Sequence, residues 1–259
     1  MEASQEGVVC IPAGHVLRIR WLEPLVATVT FAVAINVFRL VEAKGDARAA
    51  TAAIFDLRKS TRLLRAGAGY WVGIFLLAKV LPRAEVDWSC DAAKVSVDLV
   101  VGVVAYDFCY YWFHRGMHRW PRFGRLVSHA THHAPFGALR AHHVLEHSFL
   151  DGSMQVLTNV LVQRYGLFGP RNWLARLLHN VVVTYLLTES HADLGGLAGR
   201  FPALLKGAAR HRLHHHHAGP PYEQFFGYLD DLFSPVSGGE GGGGLGLEKN
   251  NNNDNEKFR

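Results

Sequence analysis

Fifteen of the sixteen histidines in this 259-residue chain lie between His114 and His217, and eight of them fall in an ordered pattern that a fold must reconcile. Three arrays stand out: His114-Arg-Gly-Met-His118, His129-Ala-Thr-His132-His133 and His211-Arg-Leu-His214-His215. On a helix, residues three or four apart share a face, so each array turns two or three imidazoles toward one point. Adjacent pairs such as His132 and His133 can instead serve two neighbouring metals from diverging directions. Neutral imidazole binds iron, zinc, copper and nickel, so ligand type alone does not name the metal. The number of histidines exceeds the four ligands of a structural zinc site. No cysteine lies in the arrays, and the Glu-x-x-His pattern of soluble di-iron bundles is missing. An all-histidine dinuclear centre is the expectation that is left.

The second constraint is apolar. Leu22 to Val41 is long enough, at ~1.5 Å rise per residue, to cross a hydrocarbon layer of ~30 Å. Tyr70 to Leu81 is a shorter candidate, a partial span or a buried helix. Val95 to Phe113 is apolar but carries Asp98 and Asp107, which at membrane depth must face a polar interior. Met154 to Phe168 and Trp173 to Thr188 are separated by Gly169-Pro170-Arg171-Asn172 and predict a helical hairpin. With 49% hydrophobic and 19% charged residues, the chain suits membrane spans carrying a polar cap. The expected fold is therefore all-α: an integral membrane helical bundle with a histidine-rich cap.

Lys and Arg gather near the ends of apolar runs, which favours a membrane surface over nucleic acid. The connection from Lys44 to Arg65 is basic and is expected on the cytosolic side, whereas Arg83 to Asp91 carries Glu85, Asp87 and Asp91 and is expected in the lumen. Continued alternation places all three histidine arrays on the cytosolic face. Cys10, Cys90 and Cys109 are too few for a disulfide framework, so sulfur is expected to be neither staple nor ligand. The N-terminus shows no cleavable signal pattern. From Ser237 the composition turns to Gly, Asn and charge and predicts a disordered tail. Three segments follow: membrane spans over 1–94, a catalytic region over 95–236 and the tail over 237–259.

These motifs resemble the fatty acid hydroxylase and sterol desaturase superfamily of membrane non-haem di-iron oxygenases. The order HxxxH, HxxHH, HxxHH after apolar spans is similar to its signature, and Asp107-Phe-Cys-Tyr-Tyr-Trp-Phe-His114-Arg115 resembles its D-x-x-Y-Y-x-x-H-R segment. Ala134-Pro135-Phe136-Gly137 and His143-Val144-Leu145-Glu146 are similar to the APFG and HPxE segments of sterol-type members, with Val144 in place of the proline. Glu189-Ser190-His191 resembles the isolated histidine that ends a hydrophobic helix. Pro221-Tyr222-Glu223 and Ser234-Pro235 depart from the family's N-Y-G and G-T endings.

The resemblance implies two iron ions held by His114, His118, His129, His132, His133, His191, His211, His214 and His215. It also implies support for these ligands from Asp107, which sits seven residues before His114, and from His143, Glu146 and Asp230. Dioxygen is the implied co-substrate, and the C–H bond of a sterol or fatty acyl lipid the implied target. No haem-binding HPGG segment and no nucleotide-binding glycine loop occurs. Electrons are thus expected from a cytochrome of the b5 type and an NAD(P)H-dependent reductase, at an endoplasmic reticulum membrane with the site facing the cytosol.

Blander readings compete at several positions. His216 and His217 extend the last array but equally suit a surface run, and they are left out of the site. His142 and His147 crowd the loop that holds His143, while His15 and His179 have no companions at ligand spacing and are expected to be structural. The Tyr106, Tyr110, Tyr111 and Trp112 cluster is more simply an interfacial belt or core packing. A zinc transporter with histidine-rich loops would use unordered runs and ionisable residues inside its spans. A carotenoid hydroxylase would differ in array spacing and substrate.

Overall fold

The structure is a computed structural model that describes residues 16–42, 68, 71–73, 75–76, 80, 85–133, 139–166, 169–192 and 196–233. The first apolar run forms α1 (Val16–Glu42), and Leu22–Glu42 is, among the described residues, the one helix segment both long and apolar enough to cross a membrane. The stretch from Tyr70 to Leu81 lies partly, and the Lys44–Arg65 connection, the segment 134–137 and the tail from 237 lie wholly, outside the described residues.

The third run forms α2 (Ala92–Arg119). Its start is fixed by Asp91, whose carboxylate accepts from the Ala93 and Lys94 amides at 2.9 and 3.3 Å, satisfying first-turn donors that have no helical partner. Its end is fixed by Pro121, which pushes Trp120 into extended backbone and starts α3 (Pro121–Val127). Ser128, at φ 52°, turns the chain into a short 3-10 turn over His129–Thr131. A second 3-10 turn spans Ala141–Leu145.

The expected hairpin is α4 (Phe149–Arg164) and α5 (Trp173–Ser190), capped at their N-termini by the side chains of Ser148 and Asn172. Its connection holds one strand of a two-stranded pair. β1 (Val86–Asp87) pairs in parallel with β2 (Arg171–Asn172) over two residues. Asp98, expected to face a polar interior, accepts from the Asn172 amide at 2.7 Å and so ties α2 to the hairpin loop. The buried carboxylate is thereby matched to a backbone donor. Cys90, beside this strand pair, is disulfide-bonded, which corrects the expectation that sulfur makes no staple, and Cys109 is a free thiol. A few scattered cysteines cannot build a framework, but they can still make a single link.

The chain then forms α6 (Leu197–Arg200), α7 (Gly207–His217) and α8 (Tyr228–Phe233). α5 is central and packs on α1, α2 and α7, while α2 also packs on α3 and α4. At the foot of α7 a Cβ on Gly207 would lie 2.5 Å from the Phe225 carbonyl carbon, so only glycine lets the helix approach the 224–226 backbone this closely. Side chains on the outward faces stay apolar: Leu25, Val29, Val33 and Val37 on α1, and Val97, Val100, Val104, Phe108 and Trp112 on α2. Soluble packing leaves such stripes uncovered, whereas lipid covers them.

Helix direction decides what the far end of the bundle can hold. α2, α5 and α7 all finish at one end, with His118 in the last turn of α2, His191 just past α5, and His214 and His215 in the last turn of α7. Helix C-termini carry partial negative charge and favour cations. Three of them meet there.

Candidate metal centre

The nine histidines gather into two groups whose ligand atoms lie within 4.8 Å of one another: His114, His118, His129, His133 and His214 in one, His132, His191, His211 and His215 in the other. The arrays do not each aim at one point, as helical spacing predicts. The second and third arrays are divided, with His132 and His133 turning to different groups and His214 and His215 doing the same. The divergence of adjacent pairs follows from helix and turn geometry, since consecutive side chains leave the axis about 100° apart. His191 comes in from the end of α5.

Tautomers are set from outside the groups. A carbonyl or carboxylate oxygen can only accept, so a ring nitrogen that faces one carries the proton. The Nδ1 of His114 donates to the Tyr222 carbonyl at 2.7 Å, that of His191 to Leu187 at 2.8 Å, and that of His214 to Gly219 at 2.5 Å. His132 Nδ1 donates to the Glu146 carbonyl at 3.2 Å, and His129 Nδ1 to the Asp151 carboxylate at 2.8 Å. In all five the lone pair is left on Nε2, which points inward.

The inward nitrogens then face each other. Nε2 to Nε2 separations are 3.0 Å for His118 and His129, 3.0 Å for His129 and His133, and 3.1 Å for His133 and His214. In the second group they are 3.2 Å for both His132 with His191 and His211 with His215. The Nε2 of His114 is buried with no hydrogen-bond partner. Ligand nitrogens about 2.0–2.1 Å from a metal and at right angles to each other sit about 3.0 Å apart. The observed separations are therefore the edges of a coordination shell.

Protonation does not offer another way to relieve the opposed lone pairs. Burial, reinforced by neighbouring imidazoles, holds His114, His132, His211 and His214 well below the ordinary histidine range. Burial takes His118 down to about 3 and His191 to about 4. His133 and His215 are pushed down as well, by burial first and then by their neighbours. These eight rings stay neutral, as metal binding requires.

The residues expected to support the ligands are placed differently from the sequence reading. Glu146 does so through its carbonyl rather than its carboxylate. Asp107 does not face the imidazoles. Its carboxylate accepts from the Phe225 and Phe226 amides at 3.1 and 3.3 Å, and a carboxylate seven residues before His114 reaches the loop beyond the site because helical rise carries it about 10 Å down the axis. Asp230 accepts from the Tyr222 and Glu223 amides, both at 2.8 Å, and so fixes the carbonyl on which His114 leans. His143 accepts from the Arg140 amide at 3.0 Å and clusters with His142 and Glu146 beside the nine. His147 touches the Ser148 carbonyl, and His216 and His217 are exposed at the end of α7. His179 is buried far down α5, donating to Asn159 at 2.9 Å. His15 lies outside the described residues.

Sequence reasoning missed Asp151, the most direct carboxylate partner of any site histidine. Its only signal is a place in the first turn of α4, three residues after the cap Ser148, which marks a helix start and nothing more. The Tyr222, Gly219 and Leu187 carbonyls have no sequence signal at all.

A family model for fatty acid hydroxylases matches residues 99–234, over half the chain, and the match contains all nine histidines. The chain belongs to the fatty acid hydroxylase family. No curated protein and no solved structure matches it. Membership in this family, which lies within the fatty acid hydroxylase and sterol desaturase superfamily, brings oxidoreductase chemistry on lipids, membrane association and the use of iron. Both ends of the match fall on site-building elements. It opens at Leu99 in α2 and closes at Ser234, just after α8.

Proposed function

We propose that this fatty acid hydroxylase family member is a di-iron, dioxygen-dependent oxygenase that hydroxylates or desaturates an unactivated C–H bond of a sterol or fatty acyl lipid. The observation that carries the reading is the pair of opposed-lone-pair histidine groups, five nitrogens and four, split across the adjacent His132–His133 and His214–His215 pairs. His114, His118, His129, His133 and His214 would hold one ion and His132, His191, His211 and His215 the other. Bound there, the iron pair would supply the redox chemistry that activates dioxygen for attack on carbon.

The chain's own residues do the rest. Nδ1 donors to fixed carbonyls hold the rings in orientation, which is how supporting contacts tune a metal site. The dry core of the bundle excludes water from a reactive centre, and the apolar outer faces of α1 and α2 set the site beside lipid. Electrons come from a cytochrome b5-type donor and an NAD(P)H-dependent reductase on the cytosolic face of the endoplasmic reticulum. A disulfide at Cys90, in the connection assigned to the lumen, supports that orientation, because disulfides persist in oxidising compartments.

Metal stoichiometry tests the reading. Full-length protein purified in detergent without chelator should carry about two iron ions per chain, matching its two ligand groups, and should consume dioxygen when reduced. A folded preparation that takes up one ion, or none, would sink the dinuclear claim.

A further inference from the structure

From Phe108 to Leu145 the chain holds five arginines, Arg115, Arg119, Arg122, Arg125 and Arg140, and no lysine, aspartate or glutamate. Arg119, Arg122 and Arg125 are exposed, and among the described residues none of them pairs with a carboxylate. They crowd onto the end of α2 and onto α3, where residues 122 and 125 share a helix face. Large apolar side chains stand among these charges. Trp120 is 65% exposed and Leu126 67%, and Phe149 is exposed as well, next to the Ser148 that bonds the Val127 carbonyl.

The patch continues a face that lipid covers. Val104, Phe108 and Trp112 follow one another at a spacing of four along α2, and Arg119, seven residues after Trp112, lies on the same side. An apolar stripe that ends in arginine and tryptophan marks the level at which hydrocarbon gives way to headgroups. Arginine stems lie along apolar surface there while their guanidiniums reach phosphate through paired N–H donors. An acidic protein would match the three charges but would leave Trp120 and Leu126 against carboxylates, whereas one leaflet takes up both at neighbouring depths.

α3 is also the link between two ligand candidates. It starts three residues after His118 and ends two residues before His129, and those two rings bring their Nε2 atoms within 3.0 Å. It is folded tightly onto α2, since a Cβ on Gly124 would lie 2.3 Å from the Met117 carbonyl oxygen. A force that seats α3 is therefore passed to the His118–His129 pair. We propose that Arg119, Trp120 and α3 dock on the anionic phospholipid headgroups of the leaflet at the histidine end of the bundle, and that this seating holds His118 and His129 in the first ligand group. The docking goes beyond the oxygenase reading, and only its effect on the ligands rests on the two-metal reading above.

The test uses full-length protein in nanodiscs of phosphatidylcholine alone, or of phosphatidylcholine and phosphatidylserine at three to one. Backbone hydrogen–deuterium exchange is read by mass spectrometry, and iron loss to a chelator is followed in parallel. Exchange over residues 119–128 should slow several-fold when phosphatidylserine is present, and high salt should cancel the difference because exposed charges are screened. A variant combining Arg119→Gln, Arg122→Gln and Arg125→Gln should exchange like wild type in phosphatidylcholine, which shows an intact fold, and should gain no protection from phosphatidylserine. Wild-type protein should also lose iron several-fold more slowly with phosphatidylserine, and the triple variant should lose it at one rate in both discs. Equal exchange of the wild type in the two lipids overturns the docking. Slowing that appears only when a soluble acidic protein, the haem domain of a cytochrome b5, is added assigns the patch to a protein partner and overturns the docking too. Slowed exchange with equal iron loss overturns the effect on the ligands alone. Protein that holds no iron in either disc overturns the two-metal reading and that effect with it, while the exchange result still decides the docking.

Discussion

His129 Nδ1 donates to the Asp151 carboxylate at 2.8 Å, and the same ring brings Nε2 within 3.0 Å of His118 Nε2. A buried acid at the first turn of α4 therefore sets the tautomer of a ring carried by the 3-10 turn after α3. Ser148 holds this junction from the other side, capping α4 through the Asp151 amide and donating to the Val127 carbonyl.

Asp151→Asn should weaken metal retention by about 10–100-fold, the usual cost of losing a supporting partner of a ligating histidine. Competition with a graded series of chelators measures this directly. Retention equal to wild type would show that His129 is oriented without Asp151.

Replacing His214 or His132 by Ala should remove activity and at least one metal ion while leaving membrane insertion intact. Each is a buried member of a ligand group, and neither lies on an apolar outward face. His216→Ala should be nearly silent because that ring is exposed at the end of α7. Equal sensitivity at 214 and 216 would mean that the last array is read in the wrong register.

Metal-free protein should lose stability as the medium is acidified. His114, His118, His132, His133, His191, His211, His214 and His215 have folded-state values below the ordinary 6.5, because of burial first, with His191 near 4 and His118 near 3. Below pH 6.5 the unfolded chain takes up protons that the folded chain refuses, so the stability present at neutral pH declines from about pH 6.5 down through about 4 and 3. Each such ring contributes at most about 1.4 kcal/mol per pH unit. Thermal melts of chelator-stripped protein from pH 8 to 5 should fall steeply, and a flat profile would contradict neutral burial.

By the distribution of Lys and Arg, residues 44–65, 114–150 and 191–235 should lie on one side of the membrane and 83–94 on the other. With Cys10, Cys90 and Cys109 replaced, single cysteines at Arg122 and Ala198 should react with an impermeant reagent from the cytosolic side, and one at Asp87 from the lumen. Opposite labelling of Arg122 and Ala198 cannot coexist with a shared centre.

The nine ligand candidates were legible in the sequence because metal chemistry leaves a discrete mark: imidazoles at helical spacing, repeated in order, with no cysteine and no Glu-x-x-His. The long helices were legible in outline from their apolar runs but not in their limits: Val95 to Phe113 became Ala92–Arg119 and Met154 to Phe168 became Phe149–Arg164, because caps at Asp91 and Ser148 and the break at Pro121 set the ends. Spacing along one helix, however, says which residues share a face and not where that face points. The division of His132 from His133 and of His214 from His215 between two groups depends on the turn at Ser128, the close seating of Gly207 on Phe225 and the meeting of three helix C-termini. The partners of the rings were decided there as well. Backbone carbonyls at Tyr222, Gly219, Leu187 and Glu146 are present at every residue of any chain, so only the tertiary path makes them specific. Asp107 shows the same limit from the other direction, because its nearness to His114 in sequence became, through helical rise, a contact with the loop at Phe225 and Phe226.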